Sequence, residues 1–343
     1  MNVNRNFGNG KIACLALICL IGVAATSASA ETVLRFSNWL PPAHPITKNL
    51  LEGWAKRVEQ ATKSRVQVKF FGPLGKPPGF FDLTKNGATD IAMVVNAYTR
   101  SRFELTRVSE LPLLAKTATG ASIALARTHN KYFKSANEYA GVKLAGHWTT
   151  GPVNLWMLKG KKGVTFEDIG KLKIRVGGGM SNDVSKVLGL TQFFAPAPKV
   201  YETLSKGVAD GVTFDTNSIT SFRLSRIIGS SLTVPGGLYR ASMALIMNQK
   251  AWNGLSAEDK KAIESASSAR SFGEVWDRLD RESVPAIKKA GIKSVAANAA
   301  FLAEFKKRIA PIEQQWIAAA KVKGVDGKKA LAYFIEQVKQ IEK

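Results

Sequence analysis

"GKLKIRVGGG", residues 170–179, decides the fold. Leu172, Ile174 and Val176 alternate with Lys173 and Arg175, the period-two signature of a strand. Three glycines then turn the chain into "MSNDVSKVLGL" (180–190), whose pattern is helical. A strand that passes through a glycine turn into a helix is a unit of an α/β sheet, and such sheets bind ligands outside the carboxyl ends of their strands. Arg175 stands at that end. A strand-end arginine ordinarily pairs with a nearby acid. At a cleft, its planar fork matches the carboxylate of an arriving ligand.

Upstream, "TVLRFSNWL" (32–40) and "RVQVKFFG" (65–72) read as strands, and "TDIAMVVNA" (89–97) as a strand buried on both faces. Between them, 45–62 and 80–88 read as helices, with Trp54 on the apolar stripe of the first. This βαβαβ order predicts a mostly parallel sheet. Downstream, 199–209 reads as a helix, 210–215 as a turn into a short strand, and 239–252 as a long strand that holds Trp252 in the core. The stretch 256–291 reads as one very long helix, capped by Ser256 with Asp259, and more helix is expected over 299–341. The fold class is therefore α/β: two lobes with a hinge, crossing strands and a long helix spanning both. Residues 31–150 plus about 238–278 are assigned to lobe I, and 151–237 plus about 279–343 to lobe II.

The first 30 residues read as a cleaved secretory signal peptide. Arg5 and Lys11 precede the apolar run 12–25, and Ala28-Ser29-Ala30 is a small-x-small cleavage site before Glu31. Both cysteines, Cys14 and Cys19, fall inside it, so no disulfide or thiol chemistry is expected of the remainder. The expected location is the periplasm. The formal charge of +23 attracts anions. Its lysines and arginines are dispersed and no nucleic-acid-binding motif is present, which argues against nucleic acid and leaves an anionic membrane surface, small acids or simply a solvated basic surface.

The residues offer little to catalysis. The three histidines, His44, His129 and His147, form no metal-ligand spacing, and no GxSxG elbow occurs. No metal and no cofactor are expected. Gly177 and Gly179 fit a dinucleotide loop, but Asn182 occupies the slot of its third glycine. What survives is a helix start able to favour an anion. An exported enzyme would have to use Asp215 or His44 as its base.

Six stretches carry a resemblance: "WLPPAHP" (39–45), "VQVKFFGPLGKP" (66–77), "KNGATDIAM" (85–93), "YTRSRFELTRVSELPLL" (98–114), "EDIGKLKIRV" (167–176) and "VYETLSKGVADGVTF" (200–214). In this order they resemble the solute-binding proteins of tripartite ATP-independent periplasmic (TRAP) transporters, of the DctP family. The resemblance implies a monomeric extracytoplasmic receptor, not an enzyme, that captures a small organic acid and hands it to a membrane permease.

The resemblance also implies that Arg175 holds the ligand's carboxylate. The other pocket positions carry over to Trp39, to the end of the third strand near Val95, Asn96 and Tyr98, to Trp156, and to Phe214 with Asp215. The chain departs from the family at two of these points and at Gly177. Trp156 stands where some members have a second arginine, Phe214 where some have asparagine, and Gly177 where proline is common. One arginine among aromatic side chains points to an aromatic, 2-oxo or other monocarboxylate. A sugar acid or dicarboxylate, an exported enzyme and the ligand-presenting partner of a sensor remain alternatives.

Overall fold

The computed structural model describes residues 1–2, 31–99 and 101–343. The predicted signal peptide, apart from its first two residues, lies outside the described residues. Among those described, no helix is long and apolar enough to cross a membrane.

The chain runs β1 (Thr32–Ser37), α1 (Glu52–Ala61), β2 (Val66–Phe71), α2 (Phe80–Lys85) and β3 (Ile91–Val95), then α3 (Ala118–Thr128), β4 (Val142–Thr149) and β5 (Asn154–Leu158). Next come α4 (Phe166–Gly170), β6 (Lys173–Val176), α5 (Met180–Val187), β7 (Thr191–Phe194), α6 (Val200–Ser205), β8 (Gly211–Phe214), α7 (Thr216–Ser221) and β9 (Ile228–Thr233). The last third holds β10 (Ser242–Asn248), α8 (Gln249–Asn253), α9 (Ala257–Ala266), α10 (Ala269–Lys289), β11 (Lys293–Ala296), α11 (Ala299–Val322) and α12 (Gly327–Ile341).

These strands build two sheets, ordered β2-β1-β3-β10-β4 and β11-β9-β5-β8-β6-β7. The βαβαβ unit is present, with β1 parallel to both β2 and β3. The sheets are nevertheless mixed rather than mostly parallel. The strand β10 runs antiparallel to β3 and β4, and β5 runs antiparallel to β8 and β9. Every residue of β3 and β10 is buried, as expected of strands covered on both faces.

Two long predictions break in the structure. The helix expected over 256–291 is two helices, α9 and α10, interrupted at Ser267 and Ser268. The Ser267 hydroxyl donates to the Ile263 carbonyl and accepts the indole N–H of Trp54 at 2.8 Å, so a contact from distant α1 fixes the break. The strand expected over 239–252 ends at Asn248, whose side chain caps α8 by accepting from Lys250 and Ala251 N–H. Trp252 therefore packs in the core from a helix rather than from a strand. The helical tract 299–341 likewise divides, at Gly324 to Asp326, and Asp326 caps α12.

The helix α10 still touches elements of both sheets. Its buried stripe includes Phe272, Trp276, Leu279 and Ile287, at helical spacing. Gly273 lets it cross α3 closely, because a Cβ there would meet the Thr119 Cα at 2.5 Å. Two of its acids hold other helices by their first N–H groups. Asp277 accepts from Ala118 N–H at 2.7 Å and Thr119 N–H at 2.9 Å, and Asp280 accepts from Asn217 N–H at 2.7 Å.

Candidate functional site

Between the two sheets lies a cavity that is partly open to solvent. Arg175 reaches it from β6. The even positions of that strand, Ile174 and Val176, fill the core, while Arg175 on the other face is itself only 2 % exposed. Its Nε donates to the Ala195 carbonyl at 2.8 Å, and its Nη2 donates to the same oxygen. Its Cζ lies 4.7 Å from the centre of the Phe214 ring. Burial lowers its pKa, opposed by the phenols of Tyr98 and Tyr239; no carboxylate is among its influences. Among the described residues its guanidinium bonds to the Ala195 carbonyl and to no carboxylate, although Glu110 and Asp215 line the same cavity.

Five of the seven residues expected at the site line this cavity: Trp39, Tyr98, Arg175, Phe214 and Asp215. Trp39 is held by its indole N–H to the Met93 carbonyl at 3.0 Å, which presents its ring as wall. The Tyr98 hydroxyl accepts the Ala197 N–H at 2.9 Å and so joins the first sheet to the second. Val95 lines the cavity as well. Asp215 is the N-cap of α7: it accepts from Ser218 N–H at 3.0 Å, from the Ser218 hydroxyl at 2.8 Å and from the Trp276 indole at 3.4 Å. Burial raises its pKa. With its oxygens occupied, its place in the structure is that of a cap on the cavity wall.

Two expected residues do not reach the cavity. Trp156 is 2 % exposed and packs in the core beside Val200 and Leu204, its indole donating to the Phe214 carbonyl at 2.8 Å. It props the strand that carries Phe214. Asn96 turns the other way, donating to the Ser242 hydroxyl at 3.0 Å and the Tyr139 hydroxyl at 3.3 Å, and borders a separate polar cavity. The start of α5, which could favour an anion, is met by a carboxyl from within the chain. Glu110 reaches the Met180 N–H there, and it accepts from Ser242 N–H at 2.9 Å. Burial raises its pKa.

The glycine turn has a local reason. Gly178 and Gly179 take φ values of 91° and 56°, and they pass against Ala97 of the opposite lobe. Gly177 N–H donates to the Ser181 hydroxyl at 3.3 Å, a bond that proline could not make. Ser181 continues through Thr213 to the Tyr239 hydroxyl, at 3.1 and 2.9 Å, giving the Arg175 side of the cavity a run of hydroxyl groups.

Sequence reasoning passed over Arg240, a second buried arginine on the cavity wall. Its Nη1 donates to the Thr150 carbonyl at 3.0 Å and its Nη2 to the Ala115 carbonyl at 2.8 Å. Burial pushes its pKa down to about 10, against the pull of Asp277, Glu342 and Asp280. Nothing in "GGLYRAS" marks it, because its partners are backbone groups from distant segments. Among the described residues no cluster of three or more histidine, cysteine or acidic side chains could hold a metal.

Two sheets flanking a cavity, with a buried arginine on its wall, define a solute-binding protein. The chain belongs to the bacterial extracellular solute-binding proteins, family 7 (DctP), which it matches over residues 36–319, and is a TRAP-type solute-binding protein. It is 30 % identical over 330 residues to the outer membrane transporter protein TsaT of Comamonas testosteroni, covering 94 % of this chain and 96 % of that one. Its fold matches a TRAP periplasmic solute-binding protein from Bordetella bronchiseptica, solved with bound (R)- and (S)-mandelate. The TM-score is 0.88 and the identity 38 %, over 90 % of this chain and 99 % of that chain. A marine metagenome TRAP solute-binding protein specific for aromatic acids, solved with 3-hydroxybenzoate, matches with a TM-score of 0.84 and 26 % identity, over 92 % and 100 % of the two chains.

Proposed function

We propose that the protein is a periplasmic receptor that binds a small aromatic monocarboxylate between its lobes and delivers it to the membrane subunits of a TRAP transporter. Arg175 holds the carboxylate, Trp39, Phe214 and Tyr98 enclose the ring, and the receptor works as a monomer without a cofactor. One observation carries this reading: Arg175 is 2 % exposed and lacks a carboxylate partner among the described residues. Removing a guanidinium from water is costly, and an incoming carboxylate that forks onto it recovers much of that cost only when the ligand is in place. The aromatic wall supports a flat ligand body, since ring faces bury area and stack. The similar proteins solved with mandelate and with 3-hydroxybenzoate support the same ligand class.

The test is a thermal-shift screen of residues 31–343 against aromatic, 2-oxo, sugar and dicarboxylic acids. A ligand at 100 times its Kd adds about 2.7 kcal/mol of stability. Shifts confined to aromatic monocarboxylates and abolished in Arg175→Ala are the expected outcome. Shifts from dicarboxylates or sugar acids alone, or shifts that survive Arg175→Ala, would overturn the assignment.

A further inference from the structure

His44 lies in the loop "PPAHP" between β1 and α1 and is 6 % exposed. Its Nδ1 accepts the Ile46 N–H at 3.2 Å, which leaves the ring proton on Nε2. Nε2 is buried and has no hydrogen-bond partner among the described residues. A buried donor without an acceptor is expensive, and native proteins rarely tolerate one without a function for it.

The ring lines the same cavity as Arg175. A run of aromatic rings connects the two. The Arg175 Cζ lies 4.7 Å from the Phe214 ring, Phe214 stacks on Phe222 at 5.6 Å and 21°, and Phe222 meets His44 at 5.0 Å. One wall of the cavity thus begins at a guanidinium and ends at an imidazole.

We propose that the Nε2–H of His44 is a second polar anchor, donating a hydrogen bond to an uncharged acceptor at the end of a ring acid remote from its carboxylate. The inference rests on the reading that Arg175 holds that carboxylate. The ligands it selects are aromatic monocarboxylates with a distal hydroxyl or carbonyl. Burial holds the His44 pKa down at about 4, so the ring is a neutral donor near pH 7. A neutral donor stabilises a second carboxylate far less than a guanidinium would, which disfavours dicarboxylates.

The test is titration calorimetry with benzoate, 3-hydroxybenzoate, 4-hydroxybenzoate and 4-formylbenzoate, the last able only to accept at its substituent. At least one substituted acid should bind roughly three- to tenfold more tightly than benzoate, the worth of one hydrogen bond. His44→Asn keeps an acceptor near the Ile46 N–H but lacks the distal donor. It should erase that advantage, so that the substituted acids bind no more tightly than benzoate does to the same variant, and His44→Gln should restore part of it. In wild-type protein the His44 Nε2–H resonance should shift with the favoured acid and not with benzoate, which tests the contact without a variant. Benzoate binding that depends on Arg175, with no advantage for any substituted acid or with one that survives in His44→Asn, overturns this inference alone. Failure of all four acids to bind folded wild-type protein overturns the carboxylate reading beneath it as well.

Discussion

The hydroxyl of Tyr98, in the turn that follows β3, accepts the backbone N–H of Ala197 at 2.9 Å, and Ala197 follows β7 of the other sheet. A single phenol thus ties the two lobes beside Arg175, whose positive charge it also favours.

Tyr98→Phe should therefore keep the fold of each lobe and weaken the closed, liganded state. The expected loss is about 0.5–1.5 kcal/mol of ligand affinity, the net worth of one hydrogen bond. The loss should appear mainly as faster release, which stopped-flow ligand displacement would measure.

Arg175→Ala should separate affinity from stability. Losing one partner of a buried charged pair costs roughly 2–5 kcal/mol of binding. The unliganded protein buries the guanidinium against backbone and a ring, so its melting temperature should fall little. Arg175→Lys should also bind poorly, because an ammonium cannot fork onto a carboxylate. Melting curves with and without saturating ligand would show a large wild-type shift and almost none in either variant.

Asp280 and Asp215 face each other near the start of α7, and burial with mutual repulsion pushes the Asp280 pKa well up. A carboxyl whose folded pKa exceeds its unfolded value is bound to its proton preferentially in the folded state. Its contribution is most favourable below the unfolded pKa of about 4 and is lost as pH rises through the folded pKa. Asp280→Asn keeps an acceptor for the Asn217 N–H and removes the charge. The variant should be more stable than wild type at pH 8, by on the order of 1 kcal/mol, and the advantage should vanish toward pH 4. Denaturation midpoints across that range would check the sign.

Gly273→Ala should be destabilising despite alanine's better helix propensity. Its Cβ would meet the Thr119 Cα at 2.5 Å, a backbone atom that cannot step aside. Overpacking of this kind costs about 1–3 kcal/mol, which urea unfolding would resolve.

The parts of this molecule that follow local rules were legible in its sequence. The alternation of 172–176 gave β6, and the βαβαβ order gave the first half of one sheet. Arg175, Tyr98 and Phe214, read from positions at or near strand ends, fall together around one cavity. What escaped depends on distant partners. The break at Ser267 is fixed by Trp54, which no helical periodicity reveals. Trp156 looks like a pocket aromatic until its indole is seen bonded to the Phe214 carbonyl on the neighbouring strand. The strand β11 escaped because all four of its residues are exposed and carry no alternation. Arg240 escaped because its partners are two carbonyls whose convergence only the fold creates.

The position of β10 bears on how the chain acquires its shape. It lies between β3 and β4, yet residues 242–248 follow every strand of the second sheet except β11. A chain emerging from its amino end can pair β1, β2 and β3 early, but the edge of β3 stays open and β4 has no partner until this late strand arrives. Loop closure over so long a separation is slow, and an open strand edge invites foreign strands. The first lobe should therefore be the last to consolidate and the one most dependent on a chaperone. Fragments ending before residue 242 should not fold, although they contain most of the first lobe's sequence.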